Sequence, residues 1–274
     1  MISISIITVT YNAAATIADC LQSVSNQTYT PAEHIIIDGA STDNTLEIVK
    51  SLRFNIQDTN INLTPPDSPL TRIISEPDNG IYDAMNKGIA QATGDIIAIL
   101  NADDFYASSD VLAKVAKVFE NPAVMSCYGD LQYIKERKFT PRTSYLDCAF
   151  KVIRYWKSGI FSPEKFYWGW MPPHPTFFVR KSVYEKYGIF RLDLGTAADY
   201  ELMLRFLLKE RISNIYIPEV LVRMRTSGVS NVTLAARIAA NRMDCRAWEV
   251  NGLVPYPWTV AMKPLRKLPQ WIRT

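Results

Sequence analysis

From its first residues the chain alternates short β-branched runs with stretches of helical period. Ile2 to Thr10 alternates in polarity and predicts a first strand; Thr16 stands ready to cap a helix with Ile17, Leu21 and Val24 as its inner stripe. Glu33 to Ile37 predicts a second strand. Ser41 or Thr42 is the expected cap of the next helix, with Leu46 and Val49 inward. The polar stretch from Arg53 to Arg72 carries Pro65, Pro66 and Pro69 and reads as a surface insertion. Between Asn79 and Thr93, residues Ile81, Ala84, Met85, Ile89 and Ala92 recur at helical spacing, and Gly88 lets that face press against a sheet. Asp95 to Leu100 is short and almost uniformly apolar, as a strand covered on both faces should be. Val111 to Phe119 predicts another helix and Met125 to Gln132 another strand, followed by a polar connection from Glu136 to Pro141. Residues Tyr145 to Pro175 hold Trp156, Phe161, Phe166, Tyr167, Trp168 and Trp170 with little alternation, which predicts irregular structure. Helices are expected over Tyr200 to Lys209, with Leu204, Leu207 and Leu208 inward, and over Ala235 to Val250. The sum is an α/β domain with a mostly parallel central sheet flanked by helices.

Three of these strands deliver polar residues to one edge. Open α/β sheets bind ligands beyond the carboxyl ends of their strands, so that edge is the expected cleft. Tyr11 and Asn12 follow the first strand and Asp38 ends the second; Asn101, Ala102, Asp103 and Asp104 follow the strand ending at Leu100. Tyr11 could stack on a base and Asp38 accept a base N–H, while Asp103 and Asp104 are placed for a divalent cation such as Mg2+ or Mn2+. The plainer alternative makes Asp38 a turn residue and Asp103 and Asp104 a loop start or a cap for the helix from Asp110. His174, between Pro173 and Pro175, is a candidate metal or phosphate ligand. Thr196 followed by Asp199 resembles a capping box; the same acid, rigidly held, would also suit a general base. The run Arg223 to Ser230, with Arg225 and Gly228, either covers a pyrophosphate or is a solvated loop.

Composition narrows the classes. A chain of 274 residues, 48% hydrophobic, can bury a large core, and a net charge of +3 without an aromatic-plus-basic module gives no case for nucleic acid. Cys20, Cys127, Cys148 and Cys245 form no paired motif, which argues against zinc and for reduced cytosolic thiols. The first residues lack a signal peptide's basic start, no run reaches bilayer-spanning length, and the sequons at Asn62 and Asn231 are read as chance. From Lys263 to Thr274 the chain carries Lys263, Arg266, Lys267 and Arg273 without an acid, with Trp258 and Trp271 close by. This is either a peripheral contact with an anionic membrane surface or a frayed soluble tail. Neither a Walker lysine loop nor the glycine-rich arginine loop of nucleotidyl transfer occurs.

Taken together, ITVTYNAAATI, IIIDGASTDNT, SEPDNGIYDAMNKGIAQATGDIIAILNADD, HPTFFVRKSVYEKYGIF and AADYELMLRF resemble successive blocks of glycosyltransferase family 2, inverting enzymes with the GT-A fold, a Rossmann-like sheet flanked by helices. The resemblance spans roughly residues 1 to 228 and is strongest to the bacterial O-antigen and exopolysaccharide subgroup. It implies a nucleotide-sugar-binding half over 1–105, an acceptor-binding and catalytic half over 106–230, and a helical basic tail over 231–274. Thr10, Tyr11 and Asp38 would bind base and ribose; Asn86 and Lys87 would flank the donor. Asp103 matches the last acid of the family's metal motif and Asp104 the acid that follows, whereas Asn101 stands where many relatives have Asp. Asp199 matches the catalytic base, preceded by Ala198 where many members have Glu. The donor-binding set expected is thus Thr10, Tyr11, Asn12, Asp38, Ser41, Asn86, Lys87, Asn101, Ala102, Asp103 and Arg225, and the metal set Asp103, Asp104 and His174. The expected activity moves a sugar from a UDP-sugar to a saccharide or lipid-linked saccharide at the cytoplasmic membrane face, with Mn2+ or Mg2+ on the leaving diphosphate. A non-catalytic sugar-nucleotide binder with the same fold is the alternative.

Overall fold

The computed structural model describes residues 2–52, 70–136, 150–226, 234–266 and 270, with the side chains of 234–238 excepted. Residues 53–69 of the insertion predicted over Arg53 to Arg72, most of the connection after Glu136, and Cys148, Gly228, Ser230, Lys267, Trp271 and Arg273 lie outside the described residues, as do both sequons; the insertion's last residues, from Leu70, belong to a strand instead. Four strands, β1 (Ile4–Thr10), β2 (Glu33–Asp38), β3 (Leu70–Ser75) and β4 (Ile96–Ile99), run parallel in the order β3-β2-β1-β4. Beyond β4 the sheet becomes mixed. It continues through β8 (Phe178–Arg180), β6 (Ser126–Glu136), β9 (Asn214–Arg225) and β5 (Asp104–Tyr106), while β7 (Phe150–Trp156) pairs with the far end of β6.

Strict alternation along β1 distributes its side chains between two layers. Ile7 and Val9 join Ile35, Ile37, Ile97 and Ile99 against α3 (Ile81–Gln91) and the helix α6 (Ala198–Met203). Ile4 and Ile6 face the other way, onto α1 (Ile17–Ser25) and α4 (Val111–Phe119). Each β1 side chain is buried on one side or the other, its polar members Ser5, Thr8 and Thr10 included, and Ser5 and Thr8 find partners in Glu33 and His34. Between these elements lie α2 (Thr45–Ser51) and α5 (Lys181–Tyr187); α7 (Leu234–Val250) and α8 (Thr259–Leu265) close the chain.

Four local expectations are corrected. The aromatic stretch is not wholly irregular: Phe150–Trp156 forms β7, because pairing with β6 fixes it in the sheet despite its weak alternation. Neither Ser41 nor Thr42 caps α2, which starts after Asn44; Ser41 is drawn instead to Asp38, and Asp43 takes the N–H and hydroxyl of Thr45. Ile81 is 48% exposed although it falls on the predicted inner stripe, because it stands at the first turn of α3 where the helix overhangs the cleft. The helix after Asp199 changes at Leu204 to π geometry through Lys209, while keeping Leu204, Leu207 and Leu208 buried.

Candidate active site

The neighbours of β1 diverge in sequence, β2 on one side and β4 on the other, which makes the carboxyl ends of β1 and β4 the switch point of the parallel half. The chain after β4 stays bound to β1 through Leu100 N–H to the Ile7 carbonyl (2.9 Å) and Ala102 N–H to the Val9 carbonyl (3.2 Å). Asn101, Ala102 and Asp103 are thereby held beside Thr10, Tyr11 and Asn12. These six residues line a cleft of about 590 Å³ together with Asp78 and Gly80. Tyr11 is 63% exposed there. Asn12 adopts φ 49°, and its side-chain oxygen accepts the Thr42 N–H at 2.8 Å while its own N–H donates to Ser41 Oγ at 2.8 Å, knitting together the turns that follow β1 and β2.

Around Asp103 several buried oxygens lack a protein partner: Thr10 Oγ1, Asn101 Oδ1 and Asp104 Oδ1. Buried polar atoms are normally satisfied. Hard oxygen donors left open beside a half-exposed carboxylate fit a Mg2+ or Mn2+ ion that takes its remaining ligands from a diphosphate. Burial raises the Asp103 pKa, and it raises that of Asp104 well above the usual carboxylate range with help from the neighbouring Asp103. Asp104 itself is wholly buried, accepts from Asn101 Nδ2 at 3.2 Å and lines neither cleft.

A second, larger cleft of about 730 Å³ meets the first through Ile81 and Asn101, which line both. Tyr82, Tyr133, Trp156, Trp170, His174 and Asp199 are among its walls. The capping box predicted at Thr196 does not form. The residue at the helix start is Ala197, no side chain caps it, and Asp199 Oδ1 accepts the N–H of Tyr200 at 2.7 Å. Tyr82 shares this cleft with Asp199, and burial together with that carboxylate raises the pKa of its hydroxyl. His174 packs edge-on against Phe190, and burial lowers its imidazole pKa against the opposing pull of Asp199. It lines the Asp199 cleft and not the one holding Asp103, and no cluster of three or more His, Cys, Asp or Glu suited to a metal occurs among the described residues.

Other sequence candidates are placed outside the clefts. Asp38 is fully buried, taking the Ser41 N–H (3.0 Å), the Ser41 hydroxyl and the Ser75 hydroxyl (2.7 Å). Asn86 pairs with the backbone of Phe190 through both amide atoms (2.9 and 3.0 Å), and Lys87 donates to the Pro77 carbonyl (2.8 Å) and pairs with Glu76. Arg225 is buried, ion-paired with Asp19, and donates to the Asp103 carbonyl at 3.3 Å. These groups brace the walls. Conversely, Asp78 and Tyr82 were absent from the sequence-derived set. The signal for Asp78 was Gly39, whose absent Cβ would lie 2.4 Å from Asp78 Oδ2, so the glycine marks a close approach between two loops.

A switch-point cleft joined to a second cavity holding a carboxylate defines a two-substrate α/β enzyme architecture, and the fold is GT-A. The mannosyltransferase PcManGT from Pyrobaculum calidifontis, solved with GDP-Man and Mn2+, superposes with TM-score 0.62 at 20% identity, covering 99% of this chain and 73% of that one. S. aureus TarS 1–349 in complex with UDP-GlcNAc superposes with TM-score 0.62 at 15% identity, covering 98% and 78%; of a longer TarS chain, 44% is covered. The chain belongs to glycosyl transferase family 2, whose profile matches residues 5–188. A PGL/p-HBAD biosynthesis glycosyltransferase of Mycobacterium bovis is 29% identical over 73% of this chain and 68% of its own. Chondroitin synthase of Pasteurella multocida is 29% identical over 74% of this chain, which spans 18% of that enzyme.

Proposed function

We propose that this glycosyltransferase moves a sugar, with inversion, from a UDP-sugar to a hydroxyl of a saccharide or lipid-linked saccharide in bacterial surface-polysaccharide assembly. The observation that carries the proposal is the junction of the two clefts. Asp103 stands in one and Asp199 in the other, with Asn101 and Ile81 common to both. A donor seated with its nucleotide by Tyr11 and its diphosphate by Asp103 would present its anomeric carbon toward the larger cleft. Asp199 would there take the proton of the acceptor hydroxyl as its oxygen attacks. Asp103 and the amide oxygen of Asn101 would hold a divalent cation, which when bound supplies charge neutralisation for the departing nucleoside diphosphate. Asp38, Ser41 and Asn12 shape the turn under the base; Asn86, Lys87 and Arg225 hold the loops from behind.

Peripheral contact with the cytoplasmic face of an anionic membrane completes the proposal. No helix among the described residues is long and apolar enough to cross a bilayer. Exposed Trp168, Trp258 and Leu265 support contact at a surface. For the chemistry, Asp199→Asn is expected to bind UDP as the native protein does and to lose about 100- to 10,000-fold in transfer rate, the usual contribution of a general base. A panel of UDP-sugars followed by mass spectrometry reads both donor choice and the loss. Undiminished turnover of Asp199→Asn would remove the assigned base.

A further inference from the structure

The end of β7 and the turn after it form one wall of the larger cleft, and the polar anchors of that wall lead back to a single place on β6. Residues 155–159 line the cleft together with Trp170. Asp130 accepts the Tyr155 hydroxyl at 2.6 Å and the Ser158 N–H at 2.8 Å, while the Gly129 carbonyl accepts the Ser158 hydroxyl at 2.7 Å. The Tyr128 hydroxyl donates to the Gly159 carbonyl at 2.6 Å, and the Ser158 carbonyl in turn accepts the indole N–H of Trp170 at 2.9 Å. Gly129 also takes the Thr176 hydroxyl on its carbonyl at 3.1 Å, two residues beyond His174. Asp130 itself is 1% exposed and lines neither cleft. A further donor to it is the Tyr216 hydroxyl of β9, at 2.8 Å.

Joining the strands does not account for this carboxylate. Backbone pairing already holds β6 to β7 and to β9. The β6–β9 ladder, moreover, changes register on both sides of Asp130, between Tyr128 and Asp130 and again between Asp130 and Leu131. Such breaks give up ladder bonds to re-aim a side chain, and they gather beside active sites. Gly129 is required at this one, since a Cβ there would lie 2.4 Å from Leu221 Cγ and 2.9 Å from the Glu219 carbonyl. Burying a carboxylate among neutral donors costs free energy that an apolar side chain would avoid. We infer that Asp130 is the positioning residue of the acceptor wall. It holds Tyr155 and Ser158 directly, and Trp170 by way of the Ser158 carbonyl, and so sets the surface on which the acceptor is seated without touching it. This rests on the sugar-transfer proposal above and deepens its acceptor side. Trp156 and Trp170 offer the flat apolar faces on which sugar rings pack, and their placement decides how well an acceptor hydroxyl is presented to Asp199.

Tyr216 makes the test specific. It lines neither cleft, and Tyr216→Phe keeps the ring on Tyr128 (5.4 Å between centroids) while removing one donor from Asp130, so its effect on an acceptor must pass through the wall. The full chain, native and with Asp130→Ala or Tyr216→Phe, is compared by amide hydrogen exchange and by kinetics with octyl β-glucoside and octyl N-acetyl-β-glucosaminide as acceptor probes. In Asp130→Ala, exchange over residues 155–171 should quicken about tenfold or more, with residues 9–16 and 96–103 unchanged. The acceptor KM should rise on the order of tenfold, while kcat and the affinity for UDP stay within about twofold. Tyr216→Phe should move both readouts the same way by less, and it carries the test alone if Asp130→Ala does not fold. Exchange that quickens evenly along the chain overturns the inference, as does an acceptor KM that stays put or a UDP affinity that falls in parallel. The exchange readout needs no acceptor and decides by itself where neither glycoside is turned over. A native protein that neither binds UDP nor consumes any UDP-sugar would strike the sugar-transfer proposal, whereas exchange confined to 155–171 would still leave Asp130 as what holds this wall.

Discussion

Tyr82 shows how a single position can change role between sequence and structure. It follows Ile81 in the first turn of α3, flanked by residues that read as one buried stripe, yet its hydroxyl reaches across to Asp199. A hydrogen bond to a charged group is worth about 1.5–3 kcal/mol. Tyr82→Phe, which keeps the ring and its packing on Phe190, is therefore expected to slow transfer on the order of ten- to a hundred-fold by letting the carboxylate rotate. The thermal midpoint should hardly move, because the ring and its packing remain. A rate loss that comes with a lowered thermal midpoint would reduce Tyr82 to packing. Asp38, Asn86 and Lys87 moved the opposite way. Their residue types and spacing were visible, but the partners that occupy them, Ser41 and Ser75, the Phe190 backbone, and the Pro77 carbonyl, come from turns and from 104 residues away. No local pattern encodes such partners.

Elements with one dominant burial pattern were legible. β1, β2 and β4 are buried along their whole length, and α4 begins and ends where its apolar period does. Gly88 was legible too: a Cβ there would meet Ile7 Cγ2 at 2.3 Å, the close helix-to-sheet approach that its place in the stripe implied. β7 was not, since an edge strand with mixed burial gets its conformation from pairing with β6 rather than from its own alternation. Within β2 the price of full burial falls on His34, whose ring nitrogen lies 2.9 Å from Thr8 Oγ1 and whose imidazole pKa is pushed by burial from 6.5 to about 3. The sign follows from proton binding. Between those values the unfolded chain holds the proton and the folded chain does not, so stability is complete above about pH 6.5 and is lost progressively as pH falls toward 3. His174, also depressed by burial, acts in the same direction. Urea midpoints should decline from about pH 7 to about pH 5, and the His34 ring proton resonance should not titrate across that span. A ring that titrates near 6.5 in the folded protein would refute this account of β2.

At the scale of the molecule, the C-terminal helices α7 and α8 are not an appendage. Trp248 of α7 is fully buried and donates to the Tyr200 hydroxyl at 2.9 Å, Asn251 reaches Glu201, and Thr259 of α8 donates to the Tyr167 carbonyl at 2.7 Å. The charges that suggested a membrane tail are partly used elsewhere, with Lys263 paired to Asp244 and Arg266 in the cleft wall. Among the described residues, what remains for a surface is apolar: Trp168, Val254, Tyr256, Trp258 and Leu265 are between 44% and 81% exposed, and the rings of Trp168, Tyr256 and Trp258 pack in one group. Contiguous exposed aromatics of this kind mark an interaction site, and tryptophan favours the boundary between headgroups and acyl chains. Burying a large apolar side chain is worth about 1.5–3 kcal/mol, so a Trp168→Ser, Trp258→Ser double variant should lose on the order of tenfold or more in partition onto phosphatidylglycerol-containing vesicles. Because insertion rather than charge would carry the contact, binding by the native protein should survive moderate salt that screens headgroup attraction. Co-sedimentation at low and moderate salt measures both. Equal partition of native and variant protein would reject the aromatic patch as a membrane contact, and binding that vanishes with salt in the native protein would return the role to the basic residues.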